Sequence, residues 1–266
     1  MASAISLVTL LTDFGERDYF VPSMKGVMLG INPQVRIVDL SHGISPHNVE
    51  QAAFVLSSCY QFFPDGTIHV IVVDPGVGSA RRALLVSTSR HFFLAPDNGV
   101  VSHVLREETG VEVRAIENKQ YRLDSAGATF EGRDVFAPCA SWLSKGQPPG
   151  SFGRLIYDHV MLPDQPPKME HDMLVGRLVY IDQFGNGISN ITKADLEKFR
   201  TVTKRNPSGI RVGDQLMKQI KTHYGEGALG VPDVLFNSNG YLEVFVKQGN
   251  AADRCGLQVG QHIQVV

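Results

Sequence analysis

The chain has 266 residues, of which 43% are hydrophobic and 20% charged, a globular composition that allows one large domain or two smaller ones. The formal net charge is −2, and acidic and basic residues are mixed along the sequence. This pattern excludes the basic face typical of nucleic-acid-binding and membrane-surface proteins. We therefore expect a small or neutral molecule as the partner.

No segment of the sequence indicates export or membrane insertion. The first residues, MASAISLVTLLTDFG, lack a basic region and are too short for a signal peptide, so we interpret them as leading into a first strand. No run of about 18 apolar residues predicts a spanning helix. Cys59, Cys139 and Cys255 are odd in number and far apart, which fits neither a disulfide framework nor a metal-binding pair. We expect a cytoplasmic protein.

Short apolar runs alternate with helical periodicity over residues 1–162. In chain order the segments read SLVTLL, PSMKGVMLGI, VRIVDL, IHVIVV, ALLVSTS and HFFLAP. Continuous apolar strands separated by helices are typical of a mostly parallel sheet covered on both faces. One helix is predicted after Ser45, which can cap it, with Pro46 in its first turn. Further helices are predicted over about 98–107 and 133–145.

A proline-rich polar piece, LPDQPPK, begins at Leu162 and suits neither a helix nor a central strand. We place a domain boundary here, with an α/β domain over 1–162, a linker over 163–170 and a second domain over 171–266. The second domain shows short alternating strands broken by glycines, with one brief helix at ADLEKF. This pattern predicts a small antiparallel barrel or sandwich.

Three acidic residues, Asp13, Asp39 and Asp74, follow apolar runs of the first domain. Because strand ends of an α/β sheet share one edge, two or three of these side chains can converge. For Asp39 we favour a structural role in a turn. For Asp13 and Asp74 the adjoining glycines favour a functional role.

Arg81 follows Asp74 after a short loop with two glycines, and can return close enough to pair with it or to share one water molecule with it. The spacing alone fits a structural ion pair equally well. A metal site for hydrolysis is an alternative, and its ligands would be His42, His47, Asp13 and Asp74. No HxH or HxxxH pair supports that alternative.

Seven motifs, spread in order over both domains, together resemble one family. They are TDFG at 12–15, ISPHNVEQAA at 44–53, VVDPGVGSARR at 72–82, APDNG at 95–99, TFEGRDVFAP at 129–138, DQFGNGISNI at 182–191 and NSNGYLEVFV at 237–246. The chain resembles the S-adenosyl-L-methionine hydroxide adenosyltransferases, relatives of fluorinating and chlorinating enzymes. The resemblance implies an α/β amino-terminal domain joined to a small antiparallel β-barrel domain, and a homotrimer with sites between subunits.

The family reaction is hydrolysis of S-adenosyl-L-methionine to adenosine and L-methionine, by attack of water or hydroxide at the ribose C5′ atom. The protein must supply a positioned oxygen nucleophile and a dry pocket, because the sulfonium leaves as a neutral thioether. The resemblance implies neither a metal nor another cofactor. Three alternatives stay open: an adenosyl-ligand binding protein with little or no catalysis, a halide-dependent enzyme, and the metal-dependent hydrolase.

By resemblance, Asp74 and Arg81 belong to the catalytic set that holds and polarises the attacking water. The halogenating relatives have a tyrosine where Asp74 stands, and a carboxylate there would repel a halide. The third member of the set is the histidine of TFHGRD, which is Glu131 in this chain. Glu131 could act as a base, pair with Arg81, or face away.

The resemblance also assigns substrate contacts. Asp13 would bind the ribose hydroxyls, and His47 would line the ribose side of the pocket without a catalytic role. Asp182 would bind the ammonium of the methionine part, and Ser238 would bond its amino-acid end.

The adenine contacts follow in the same way. Phe184 would lie against the adenine ring, Asn186 would bond its edge, and the backbone from Val246 to Gln248 would complete the site. The segment 182–187 also fits a hairpin turn, since Asn-Gly favours one, and both interpretations can hold together. We expect Asp97 and Asn98 to shape a turn and cap a helix rather than touch the reacting centre.

Overall fold

A computed structural model describes residues 7–124 and 127–266, and the chain separates into one unit that ends at Pro163 and another that begins at Asp164. The first unit contains a six-stranded sheet with helices, and the second is built mostly of β-strands. This architecture confirms the predicted fold class. Within the described ranges, no helix is both long and apolar enough to span a membrane.

The sheet of the first unit has the order β2-β1-β3-β5-β4-β6. Its strands are β1 (Leu7–Thr12), β2 (Arg36–Ser41), β3 (Ile68–Val72), β4 (Ala83–Ser87), β5 (Phe92–Pro96) and β6 (Glu112–Ala115). The pairs β1–β2, β1–β3 and β3–β5 are parallel, whereas β4 pairs antiparallel with β5 and β6. The connection 88–91 between β4 and β5 is too short for a parallel crossover, so the sheet gains an antiparallel edge.

Helices cover both faces of this sheet. They are α1 (Phe20–Ile31), α2 (Val49–Ser57), α3 (Ser102–Glu107) and α4 (Ala137–Ser144), with a π-helical turn (Gly132–Phe136) before α4. Consecutive residues of a strand point to opposite faces, so Leu10 packs with the buried side of α1 and α4, and Leu11 packs with that of α2 and α3. This arrangement explains why the strands read as continuous apolar runs.

The predicted start of α2 at Ser45 is wrong. His47 has a left-handed φ of 66°, which interrupts any helix that began at Pro46. The cap is Asn48, whose side chain accepts a hydrogen bond from the Gln51 backbone N–H at 2.9 Å. The helix therefore begins at Val49.

The predicted helix over 98–107 is shorter than expected, because Gly99 has a φ of 90° and α3 begins only at Ser102. The residue that precedes α3 is Val101, which makes no side-chain capping bond. The expectation that Asn98 or Asp97 caps this helix is therefore wrong.

The second unit has nine strands in the order β11-β10-β15-β8-β9-β14-β13-β12, with β7 beside β8. They are β7 (Lys168–Glu170), β8 (Met173–Ile181), β9 (Gly187–Thr192), β10 (Ile210–Val212), β11 (Gln215–Met217), β12 (Ile220–Lys221), β13 (Pro232–Phe236), β14 (Tyr241–Val246) and β15 (His262–Val265). All pairs except β12–β13 are antiparallel. Because β11 lies close to β13, the sheet is nearly closed on itself.

Two helices, α5 (Lys193–Thr203) and α6 (Ala251–Cys255), complete the second unit. The sequence ADLEKF lies in α5, which begins with a reciprocal cap between Thr192 and Asp195. At the start of the unit, β7 occupies Lys168–Glu170. Part of the segment that we assigned to a linker over 163–170 is thus a strand paired with β8.

Candidate active site

Asp74 and Arg81 form a close ion pair beyond the end of β3. Asp74 follows the last residue of β3 by two positions, and Arg81 precedes β4 by two. The Arg81 Nε atom donates to both carboxylate oxygens of Asp74 at 3.0 Å, and its Nη2 atom donates to Oδ2. The Gly76 backbone N–H also donates to Asp74 Oδ1, at 3.2 Å. The two side chains are 5% and 10% exposed, so little solvent screens the pair.

Glu131 lies on the other side of the same guanidinium. Its Oε2 atom accepts a hydrogen bond from Arg81 Nη2, and its side chain is 23% exposed. Arg81 Nη1 donates to the Arg82 carbonyl at 3.0 Å, and the ring of Phe136 lies 5.8 Å from the guanidinium carbon. Of the three arrangements considered for Glu131, the structure shows the pairing with Arg81.

One guanidinium thus serves two carboxylates. Burial by itself lowers the pKa of Arg81, but hydrogen bonds to Asp74 and the charges of Asp74 and Glu131 outweigh it and raise that pKa. Arg81 therefore stays protonated, and the cluster contains two acidic groups around one cation. Such a cluster repels anions and attracts a water molecule as a hydrogen-bond donor.

Asp13 lies just beyond β1, the parallel neighbour of β3. Its Oδ2 atom accepts a hydrogen bond from the His47 backbone N–H at 2.8 Å. The Gly15 N–H donates to the His42 carbonyl at 2.8 Å, which holds the turn after Asp13. The contact with His47 uses its backbone, and the carboxylate keeps further acceptor capacity on a half-buried side chain.

His42 and Asp39 belong to a separate network. His42 Nδ1 lies 2.9 Å from the Thr12 hydroxyl oxygen, and its Nε2 atom lies 3.1 Å from Asp39 Oδ1. Lys25 pairs with the same carboxylate at 2.5 Å. Partial burial raises the pKa of Asp39, but Lys25 and His42 together lower it below its usual value. These contacts agree with a structural role for Asp39. In the part of the chain that the structure describes, no three His, Cys, Asp or Glu residues are grouped as metal ligands.

In the second unit, Asp182 organises the hairpin turn between β8 and β9. Its Oδ1 atom accepts the backbone N–H groups of Phe184 and Asn186 at 2.9 Å, and its Oδ2 atom accepts the Asn186 side-chain amide at 3.0 Å. Gly185 has a φ of 81°, which the turn requires. Asn186 is buried, whereas the Phe184 ring is 75% exposed at the tip. The turn thus presents an aromatic face beside a fixed carboxylate.

Ser238 lies exposed in the turn between β13 and β14. The Asn237 side-chain oxygen accepts from the backbone N–H groups of Asn239 and Tyr241 at 3.0 and 3.1 Å, which shapes this turn. Val246, the last residue of β14, is buried, and Gln248 beyond the strand is exposed with a left-handed φ of 53°. The structure thus places Ser238 in the turn before β14, and Val246 and Gln248 at the end of that strand and just beyond it.

Glu243 is a buried carboxylate in β14, 2% exposed, that was not predicted as a site residue. Tyr224 donates its hydroxyl to Oε1 at 2.7 Å, and the Asn237 amide donates to Oε2 at 3.0 Å. Burial raises the pKa of Glu243, and the nearby negative charge of Asp182 raises it further. The signal was a single acidic residue within the apolar run YLEVFV, where alternation puts it on the same face as Tyr241 and Phe245.

Comparison with known proteins decides the family. The profile of the SAM hydroxide adenosyltransferase N-terminal domain matches residues 8–153, and that of the C-terminal domain matches residues 176–264. The chain belongs to this family. The predicted family is thereby confirmed, and the two matched segments lie in the two units of the structure.

Relatives of this SAM hydroxide adenosyltransferase chain extend over nearly its whole length. The chain is 31% identical to proteins named (R)-S-adenosyl-L-methionine hydrolase from Salinispora tropica, over 97% of both chains, and from Thermus thermophilus, over 97% of this chain and 99% of that one. It is 26% identical to a fluorinase of Actinoplanes, over 99% and 98%. A solved structure of an uncharacterized conserved protein from Thermotoga maritima has a TM-score of 0.88 and 33% identity, covering 97% and 98%.

Proposed function

We propose that this protein hydrolyses S-adenosyl-L-methionine to adenosine and L-methionine. The observation that carries the proposal is the pair of Asp74 and Arg81, which holds a fixed acceptor and a fixed donor at one edge of the sheet. Relatives 31% identical over nearly the full length are named for this activity, whereas the fluorinase is 26% identical. Family, relatives and site geometry therefore support the same reaction.

In the proposed mechanism, a water molecule binds against the Asp74–Arg81 pair, in contact with both side chains, and attacks C5′ of the ribose. Its oxygen forms the new bond to C5′ while the C5′–S bond breaks and the sulfur keeps the electron pair. Asp74 accepts the proton of the water and then releases it to solvent, while Arg81 stabilises the negative charge that develops on the oxygen. The leaving methionine is neutral at sulfur, so no acid is needed at the leaving group.

We assign Glu131 the role of holding Arg81 rather than that of the base. Its contact with Arg81 is a single hydrogen bond, and its carboxylate is more exposed than that of Asp74, which is held by Arg81 and by the Gly76 N–H. Two carboxylates around one guanidinium also disfavour a halide as nucleophile. This charge arrangement supports hydrolysis over halide-dependent chemistry.

The substrate contacts are proposed as follows. Asp13 binds the ribose hydroxyls with His47 beside it, and Phe184 packs against adenine, whose edge is bonded by Asn186 and the backbone of Val246 and Gln248. The ammonium of the methionine part lies near Asp182 and Glu243, two negative groups that share one region of the second unit. Ser238 bonds the carboxylate end.

We further propose a cytoplasmic homotrimer with active sites between subunits that acts without a metal or other cofactor. The support is the resemblance to the family and the mixture of acidic and basic residues along the sequence. Sedimentation analysis checks the assembly, and a chelator followed by added divalent ions checks the metal requirement. Activity that is lost with chelator and restored by a metal would contradict the second part.

The deciding experiment incubates purified protein with S-adenosyl-L-methionine in water enriched in 18O and separates the products by chromatography. Hydrolysis predicts equal amounts of adenosine and methionine, with the heavy oxygen in the 5′-hydroxyl of adenosine. A 5′-halo-5′-deoxyadenosine formed only with added halide would indicate the halide-dependent enzyme. Ligand binding without any product would indicate an adenosyl-binding protein.

A further inference from the structure

Asp97 and Asn98, which directly follow β5, hold both ends of the loop that carries Asp74 and Arg81. The Asn98 side-chain amide donates to the carbonyl of Val73, the residue before Asp74, at 2.9 Å. The Asp97 backbone N–H donates to the carbonyl of Arg82, the residue after Arg81, at 2.9 Å. One dipeptide on a neighbouring strand end thus fixes the entrance and the exit of the loop.

The contacts of Asn98 define how its amide is oriented. Its oxygen accepts the backbone N–H of Val100 at 3.2 Å, which leaves the NH2 group to face the Val73 carbonyl. Val73 is fully buried. A carboxylate at position 98 would keep the bond to Val100 but would place an oxygen against the Val73 carbonyl. The contribution of Asn98 is therefore its side-chain N–H donor.

Asp97 holds the exit of the loop through its side chain as well. Its carboxylate accepts from Arg82 Nε at 2.8 Å and from the Val160 backbone N–H at 2.7 Å, and its side chain is 3% exposed. Arg82 is also bound by Asp158. The exit is therefore held by several groups, whereas the only side chain that bonds the Val73 carbonyl among the described contacts is Asn98.

We infer that Asn98 is a positioning residue: its hydrogen bond to the Val73 carbonyl sets the place of the Asp74 carboxylate relative to Arg81. This inference rests on the proposed hydrolysis. A catalytic group displaced by about 1 Å can lose roughly a hundredfold in rate while substrate binding persists. Asn98 therefore acts on turnover through Asp74 and does not touch the substrate.

The test compares Asn98→Asp with Asn118→Asp, a matched control in the same unit. Asn118 makes the same kind of contacts: its oxygen accepts the Gln120 N–H at 3.0 Å, and its amide donates to the Ser151 carbonyl at 2.9 Å. Neither of these partners belongs to the loop of Asp74. Both substitutions remove an amide donor from a half-buried asparagine that bridges two segments.

Once the unaltered enzyme is shown to form adenosine, Asn98→Asp is expected to lower kcat about tenfold to a hundredfold with KM within about twofold, and Asn118→Asp to leave both within about twofold. Equal losses of kcat in both variants, or a rise in KM alone for Asn98→Asp, would overturn the inference. Asn98→Ala removes the same donor without opposing two oxygens, and is expected to show the same split if the Asp variant folds poorly.

Amide hydrogen exchange provides a readout that does not depend on activity. The Gly76 N–H donates to Asp74 Oδ1, so it reports the position of that carboxylate. Faster exchange at Gly76 is expected in Asn98→Asp and Asn98→Ala but not in Asn118→Asp. Unchanged exchange would overturn the inference even if the protein forms no adenosine, whereas the absence of adenosine alone would count against the proposed function.

Discussion

The carboxylates around Arg81 in the first unit and Glu243 in the second unit have different kinds of partner. In the first unit, Asp74 and Glu131 are both bonded to Arg81. In the second unit, Glu243 accepts hydrogen bonds from the neutral donors of Tyr224 and Asn237. Among the residues described here, no lysine or arginine forms an ion pair with Glu243 or Asp182.

This difference favours a catalytic role for the carboxylates around Arg81 and a role in ligand binding for Glu243. A buried carboxylate without a counter-ion is unfavourable, and the raised pKa of Glu243 expresses that cost. A ligand ammonium would supply the missing charge. The cluster of Asp74, Arg81 and Glu131 in the first unit already contains a cation, so it is suited to hold and polarise a neutral water molecule. The proposed substrate, which carries an ammonium and a sulfonium, fits this division.

The largest effect is expected when the internal cation of the first cluster is removed. Arg81→Met leaves two carboxylates without a cationic partner and removes the donor to the nucleophile, so we expect kcat to fall about a hundredfold to a thousandfold. Arg90→Met is the control, because Arg90 pairs with Asp65 on an exposed surface. Steady-state kinetics of both variants makes the test, and equal rates would show that Arg81 has only a structural role.

Glu243, with its donors Tyr224 and Asn237, is expected to affect the affinity for the substrate. Glu243→Gln removes the negative charge and retains the shape, and a charge-assisted hydrogen bond of about 1.5–3 kcal/mol corresponds to a rise in the substrate Kd of about tenfold to a hundredfold. We expect kcat to change less than threefold. Calorimetric titration measures the Kd, with Glu197→Gln on the exposed face of α5 as control. An unchanged Kd would refute ammonium binding by Glu243.

Glu131 allows the roles within the first cluster to be separated. The amide oxygen of Glu131→Gln can still accept the bond from Arg81, so we expect kcat to stay within about threefold of the unaltered enzyme. Glu131→Ala loses this anchor and is expected to lower kcat about tenfold. A fall of a hundredfold or more in the Gln variant would instead identify Glu131 as the base.

The smallest expected effect concerns stability. It involves His69, a buried titratable residue of β3 that, like Glu243, has no charged partner among the described contacts. His69 is fully buried, 2.7 Å from the Thr9 hydroxyl and stacked on Phe93, and burial followed by the charge of His91 lowers its pKa to about 3. In the unfolded chain the pKa of this histidine is about 6.5, so the unfolded state binds the proton more readily than the folded state does. The stabilisation is therefore complete above pH 6.5 and is lost as the pH falls towards 3.

Denaturant unfolding between pH 7 and pH 4 measures this loss. His69 should contribute a decrease of about 1.4 kcal/mol in the free energy of unfolding per pH unit below its unfolded pKa. His69→Phe keeps the aromatic stack and should show a correspondingly shallower slope. His262→Gln, at an exposed position of β15, should keep the slope of the unaltered protein. Identical slopes in all three proteins would contradict the assignment.

The sequence contained enough information for the fold class and the convergence of Asp74 with Arg81, because both depend on strand patterns and local spacing. The family followed from the resemblance of seven motifs. The start of α2 could not be predicted, since His47 takes its left-handed conformation where its N–H meets Asp13, which is distant in sequence. The role of Asn98 was hidden for the same reason, because its partner Val73 lies on another strand end.

Glu243 illustrates a different limit. Its place in a strand was visible in the sequence, but its burial depends on the pairing of β14 with both β9 and β13. Its donors come from two further segments, at Tyr224 and Asn237. A local sequence pattern cannot show that Glu243 meets two neutral donors rather than a lysine or arginine.

The most direct test of the account is the kinetics of Asp74→Asn with S-adenosyl-L-methionine. The variant keeps the size of the side chain and loses the group that accepts the proton of the water, so kcat for adenosine formation should fall at least about a hundredfold. The calorimetric Kd for the substrate should stay within about threefold. Full turnover in Asp74→Asn would contradict the account.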